Sequence, residues 1–269
     1  EDWGNRLEWS TAEFTKHTKT TFAVRTVADW DNIGVLKPSA PVLAELLRAV
    51  SLIRKGVGPD LPLLMTVFTP LSIAGDLVKD DRTLLDHLRE DRARVVAALG
   101  RIQETFESYA AELRNAGADG LFFATTQWAS RTLLSYDEYQ QLGRPFDLPV
   151  LAAAGADAVN LLHVCASDNY LTELADYPAQ LVNWDESDPT NLSLADGIAA
   201  LGDKIAVGGL DHNGWLKDAT PAEIEFKTRE LFHRHKDTRF VFAPGCSMPP
   251  ETPMENLQAL AATVRGLRY

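Results

Sequence analysis

Ala158-Val159-Asn160-Leu161-Leu162-His163 and Ile205-Ala206-Val207-Gly208-Gly209 are the two runs that decide the fold. Each is nearly continuous in apolar character and closes on a polar residue or a glycine. A strand with one face in water alternates apolar with polar; a strand covered by helices on both faces does not. Residues 61–68, 119–124, 180–184 and 240–243 read the same way. Between these runs lie longer stretches with helical periodicity and recognisable starts. Ser135-Tyr136-Asp137-Glu138 places a hydroxyl at an N-cap and a carboxylate three residues on, a capping box. Thr220-Pro221-Ala222-Glu223 and Thr252-Pro253-Met254-Glu255 repeat the arrangement, with proline at the first helical position, where a missing N–H leaves no bond unmade. Residues 84–113 read as one long amphipathic helix leaving at Asn115-Ala116-Gly117.

Strand alternating with helix predicts a parallel sheet, open or closed. Six strands are legible, whereas a closed barrel has eight. Residues 22–27 are the candidate for another. The remainder are expected upstream of Glu1, where the chain opens without an initiator methionine, or are unrecognised. No G-x-G-x-x-G turn follows any strand, which counts against a dinucleotide-binding open sheet. The preferred reading is a (β/α)8 TIM barrel in one domain over 1–269, with 61–269 as its core and 1–60 as its N-terminal part. A chain of 269 residues, 45% hydrophobic, is long enough for one such core. No apolar run approaches the roughly 18 residues of a membrane span, and residues 1–10 lack a signal peptide's basic start and apolar middle. A net charge of -12 argues against nonspecific nucleic-acid binding. The expectation is a cytoplasmic protein with neither nucleic acid nor membrane as partner.

Working residues in parallel α/β folds collect at the carboxyl ends of strands. Both cysteines of the chain fall there. His163 and Cys165, two residues apart on a strand, share one face, and Cys246 ends a later strand that a barrel brings across the mouth. One imidazole and two thiolates suit Zn2+, and three protein ligands leave a fourth position open, as in catalytic zinc sites. The bland alternative is a hydrogen-bonded core histidine and two space-filling thiols. The two readings separate on one distance, since a shared ion requires the sulfurs within about 8 Å of each other. Asp185 and Asp211 follow apolar strands and are candidate catalytic groups, as general base or substrate acceptor, or else turn carboxylates. Phe68, Gln127 and Trp184 are candidate substrate contacts, the aromatics as an apolar wall. His233 and His235 lie in a charged helical tail and are expected to face solvent.

From about Leu61 onward the chain resembles the uroporphyrinogen decarboxylase superfamily. The resemblance rests on Phe68-Thr69-Pro70-Leu71, Ala116-Gly117-Ala118-Asp119-Gly120, Leu162-His163-Val164-Cys165, Asn183-Trp184-Asp185, Gly208-Gly209-Leu210-Asp211, Ala243-Pro244-Gly245-Cys246 and Thr252-Pro253-Met254-Glu255-Asn256. It implies a TIM barrel and one of two activities. The zinc-dependent corrinoid methyltransferases carry H-x-C with a distant C, matched residue for residue by His163, Cys165 and Cys246. The decarboxylases carry N-L-G-H-G where this chain has Ala243-Pro244-Gly245-Cys246-Ser247, and a tyrosine where it has Asp76. Their R-Q-A-G-R segment has no counterpart. One departure from the methyltransferase pattern is Ala166, where glycine commonly follows the cysteine.

The resemblance therefore implies a methyltransferase in which zinc activates a thiol and a corrinoid on a partner protein exchanges the methyl group. Asp211-His212-Asn213-Gly214 does not form the corrinoid-binding D-x-H-x-x-G, so the corrinoid is expected on that separate protein. The expected partners are the corrinoid protein and a small-molecule substrate, with a homodimer left open. The competing readings are a uroporphyrinogen decarboxylase and a barrel that binds a tetrapyrrole or corrinoid without turnover.

Overall fold

The computed structural model describes residues 1–12, 15 and 17–267. A short antiparallel pair, β1 (Arg6–Glu8) and β2 (Thr18–Thr21), precedes helix α1 (Pro41–Val57). Six strands then follow in strict chain order in one parallel sheet: β3 (Leu64–Phe68), β4 (Gly120–Ala124), β5 (Leu161–Val164), β6 (Leu181–Trp184), β7 (Ile205–Leu210) and β8 (Phe240–Pro244). Helices α2 (Pro70–Leu77), α3 (Asp81–Glu90) and α4 (Arg92–Asn115) join β3 to β4, and α5 (Tyr136–Leu142) and α6 (Arg144–Ala153) join β4 to β5. Helix α7 (Leu194–Leu201) precedes β7, α8 (Trp215–Asp218) and α9 (Pro221–His235) precede β8, and α10 (Met254–Gly266) follows it. No helix among the described residues is long and apolar enough to cross a membrane.

The parallel register places one row of residues across all six strands. Phe68, Ala124, His163, Asn183, Val207 and Val241 are successive partners, so their side chains share one face. The neighbouring row, which includes the partners Val164 and Trp184, points the other way and is buried beneath the helices. In a flat sheet β5 and β8, three strands apart, would stand about 14 Å from each other. The sulfurs that follow them are 3.6 Å apart, so the sheet is rolled with the His163 row on its concave side. Six strands rather than eight make this an arc whose edges, β3 and β8, each have one partner among the described residues.

All six strands lie within three residues of their sequence-based positions. Other expectations are corrected. Residues 22–27 form no strand, because side chains take their backbone groups: Asn5 Oδ1 accepts from Ala23 N, and Asp29 Oδ2 from Arg25 N and Thr26 N. The stretch 84–113 is two helices broken at Asp91, whose backbone leaves the helical region (φ -148°, ψ 80°) and whose carboxylate caps α4 through Arg94 N. Thr252 caps nothing: α10 starts at Met254, and the Thr252 hydroxyl is buried without a partner. His235 is buried against the Phe240 ring rather than facing solvent.

Candidate metal centre

Strand periodicity builds the site. On β5, Val164 turns outward into the helix layer, which leaves His163 facing the concave side and returns Cys165 to it. Cys246 lies two residues beyond β8. The two Sγ atoms are 3.6 Å apart, Cys246 Sγ is 3.7 Å from His163 Nε2, and the three ligand atoms all lie within 4.8 Å of one another. A disulfide would need about 2.05 Å, so both thiols are free. Around a tetrahedral zinc with ordinary Zn–S and Zn–N lengths, the S–S edge is about 3.8 Å and the S–N edge about 3.6 Å. The donor set and its spacing fit that ion.

The charges agree with this fit. The neighbouring Cys165 thiol pulls the Cys246 pKa well below the usual thiol range. The same contact with Cys246, with burial second, pushes Cys165 well above it. The pair thus loses one proton easily and the second with difficulty, because two thiolates this close repel. A divalent cation between them would relieve the repulsion and hold both as thiolates.

Asn183, the register partner of His163, is buried beside it. Its Oδ1 lies 2.5 Å from His163 Nδ1, and its Nδ2 donates to Val207 O at 2.7 Å and Pro244 O at 3.0 Å. The trio opens onto a cavity of about 570 Å3 walled by Phe68, Phe122, Ala124, Gln127 and Val207. The Phe122 ring lies 5.4 Å from the imidazole.

The remaining candidates divide. Phe68 and Gln127 line the cavity, and the Gln127 amide is held by Asp81 Oδ1 at 2.8 Å. Trp184 does not. Its indole is fully buried on the opposite face and donates to Leu192 O at 2.8 Å. Asp185 Oδ1 accepts from Ser187, and Asp211 Oδ1 from Gly214 N, so both close strand-end turns, and neither lines the cavity. Asp76 forms an ion pair with Lys19. Ala166 sits at φ 70°, a left-handed backbone that favours glycine, which accounts physically for the glycine usual there.

Two residues escaped sequence reasoning. One is Asn183, whose signal was register: it stands two residues before Asp185 and one before Trp184, on the concave parity. The other is Glu186. Its Oε1 accepts from Gly209 N at 2.6 Å, while its Oε2 is buried without a partner. A Cβ at Gly208 or Gly245 would stand 3.0 or 3.1 Å from that oxygen, so these glycines make the room it occupies, one residue from Cys246. Burial, with the charges of Asp185 and Asp211 behind it, pushes the Glu186 carboxyl up to about 7. Its sequence signal was the pairing of a strand-end glutamate with facing glycines.

Comparisons with known proteins follow the same lines. The family profile described as Uroporphyrinogen decarboxylase (URO-D) matches residues 11–267. A curated relative, the methylcobamide:CoM methyltransferase MtaA of Methanosarcina barkeri (strain Fusaro), is 28% identical over 219 residues, covering 81% of this chain and 62% of that protein. The methylcobamide:CoM methyltransferase MtbA of Methanosarcina mazei is 23% identical over 248 residues, 92% of this chain and 70% of that one. The chain thus spans a little over three fifths of the MtaA length. Among solved structures, a methyltransferase from Methanosarcina mazei superposes with a TM-score of 0.83 at 24% identity over 98% of this chain and 76% of that one, which shows the fold. A B12-independent methionine synthase from Shewanella sp. W3-18-1 reaches 0.56 at 15% identity over 82% and 67%. The arc is that of a TIM barrel.

Proposed function

The chain belongs to the uroporphyrinogen decarboxylase family, and from that premise we propose that it is a zinc-dependent methyltransferase moving a methyl group between a corrinoid and a small thiol. The observation that carries the reading is the convergence of one imidazole and two sulfurs on an open cavity. The relatives whose names pair a methylcobamide with CoM support the corrinoid.

His163 Nε2, Cys165 and Cys246 would hold the metal. When bound it supplies a Lewis acid that keeps the substrate sulfur as thiolate near neutral pH. The chain's own groups do the rest. Phe68 and Phe122 give the cavity an apolar wall that excludes water from the sulfur. Gln127, fixed by Asp81, offers a polar contact to the remainder of the substrate. Asp185 and Asp211 act one step back, by holding the turns that carry Glu186 and the β7 tip.

A decarboxylase of a poly-carboxylate substrate would need cations at its cavity wall. Neither lysine nor arginine lines this one among the described residues. The test is metal content together with transfer from free methylcobalamin to coenzyme M. We expect close to one zinc per chain and thioether formation, both abolished in Cys246→Ser. Wild-type protein holding less than about half an equivalent, with no change in the variant, would sink the proposal.

A further inference from the structure

The amide of Asn183 can adopt only one orientation, and that orientation decides where the His163 proton sits. Asn183 Nδ2 approaches two backbone carbonyls, Val207 O and Pro244 O. Carbonyls only accept, so the amino group must face them and Oδ1 must face the imidazole. An acceptor oxygen 2.5 Å from Nδ1 requires the proton on Nδ1. In the neutral ring the lone pair is then on Nε2, the nitrogen turned toward Cys246 Sγ. Free neutral histidine favours the other tautomer, and the partner of one ring nitrogen settles the state of the second. The same side chain links three more strands. It belongs to β6, holds His163 of β5, and ties down β7 and the last residue of β8, two positions ahead of Cys246. Asn183 is 3% exposed, so water does not compete for these bonds.

We propose that Asn183 is the positioning residue of the metal centre. It commits His163 to the Nδ1–H tautomer before any ion arrives, and it braces the two chain segments that bear the ligands against each other. The first half of this concerns the metal-free protein; the second rests on the proposed zinc site.

Two readouts test the halves separately. Imidazole 15N spectra of the metal-free protein at about pH 8.5, above the usual histidine range, read the tautomer directly. We expect Nδ1–H in the wild type and in Asn183→Asp, which keeps an acceptor oxygen there, and a return toward Nε2–H in Asn183→Ala. Wild-type protein showing Nε2–H, or Asn183→Ala keeping Nδ1–H, overturns the proposal. Cobalt(II) titration reads the bracing through thiolate charge-transfer and tetrahedral ligand-field bands. Loss of an outer-shell partner weakens metal binding roughly 10–100-fold, and both variants should show that loss with altered bands, since both lose the donors to Val207 O and Pro244 O. Bands and affinity unchanged in both variants overturn the bracing and leave the zinc reading intact. Wild-type protein that takes up no cobalt sinks the zinc reading and the bracing with it, while the tautomer result stands on its own.

Discussion

Two clusters of titratable side chains among the described residues are built in opposite senses. At the tips of β5 and β8, His163, Cys165 and Cys246 point at one another across a gap that opens onto a cavity. Between α5, α6 and the segment after β5, Tyr139 and Tyr177 both donate to Asp147 Oδ2 at 2.8 Å. Asp147 is fully buried in α6, and its Oδ1 has no partner. Nearby, Arg144 pairs with Asp176 and lies over the Tyr177 ring. Both clusters shift the acidity of their members strongly. A perturbed titration therefore does not by itself mark a site; whether the atoms face a space that a ligand can enter does. The first cluster would take an ion, and the second joins helices.

Four predictions would break or sharpen that contrast. The largest effect belongs to the strand tips. Cys165→Ser should weaken zinc or cobalt binding by more than about a hundredfold, beyond the loss of an outer-shell partner, while changing metal-free stability by under about 1 kcal/mol, because the side chain borders open space. A large loss of metal-free stability would make this cluster a structural one.

Next comes the pH dependence of stability from Asp147. Burial raises its pKa from 3.8 to about 7 in the folded protein, against the lowering effect of the two phenols and Arg144. Between those values the native state keeps a proton that the unfolded chain has released. Stability is therefore full below the unfolded value and falls as pH rises to about 7, by at most about 1.4 kcal/mol per unit. Denaturant titrations at a series of pH values should show this slope, and Asp147→Asn should flatten it without touching metal binding. A slope of opposite sign would mean that the carboxyl is ionised in the fold.

Tyr139→Phe or Tyr177→Phe removes one donor from a buried carboxyl and should cost about 1–3 kcal/mol. Chemical denaturation measures it, and an unchanged midpoint would remove Asp147 from the helix contact. The smallest effect is at Ala166. Glycine relieves the left-handed backbone but adds freedom to the unfolded chain, so Ala166→Gly should stabilise by about 0.5 kcal/mol. Destabilisation would show that the methyl packs usefully beside Cys165.

The fold was legible because its signals are local. Apolar runs such as 158–163 and 205–209 record that helices cover both faces, and Ser135 and Thr220 announce their helices through contacts three residues away. Where another partner competed for the backbone, local reading failed. Asn5 drew residue 23 out of a strand, and Asp91 offered α4 a cap in the middle of a helical pattern. In the candidate site, His163 and Cys165 were legible through period two. Trp184 was misplaced for the same reason that Asn183 was passed over: adjacent residues of one strand point to opposite faces, and which face is concave is not written in the strand. Glu186 needed the glycines of β7 and the loop after β8 to come beside it.

The sequence by itself determined a parallel α/β chain, the order of its strands and a soft donor set at two strand ends, since all three follow from periodicity and residue chemistry. Only the tertiary structure decided that β5 and β8 curl until two sulfurs stand 3.6 Å apart, that Asn183 rather than Trp184 stands beside the imidazole, and that Asp147 closes on phenols instead of a ligand. Those outcomes depend on how the sheet rolls beneath its helices, and rolling is set by packing among residues far apart in the chain.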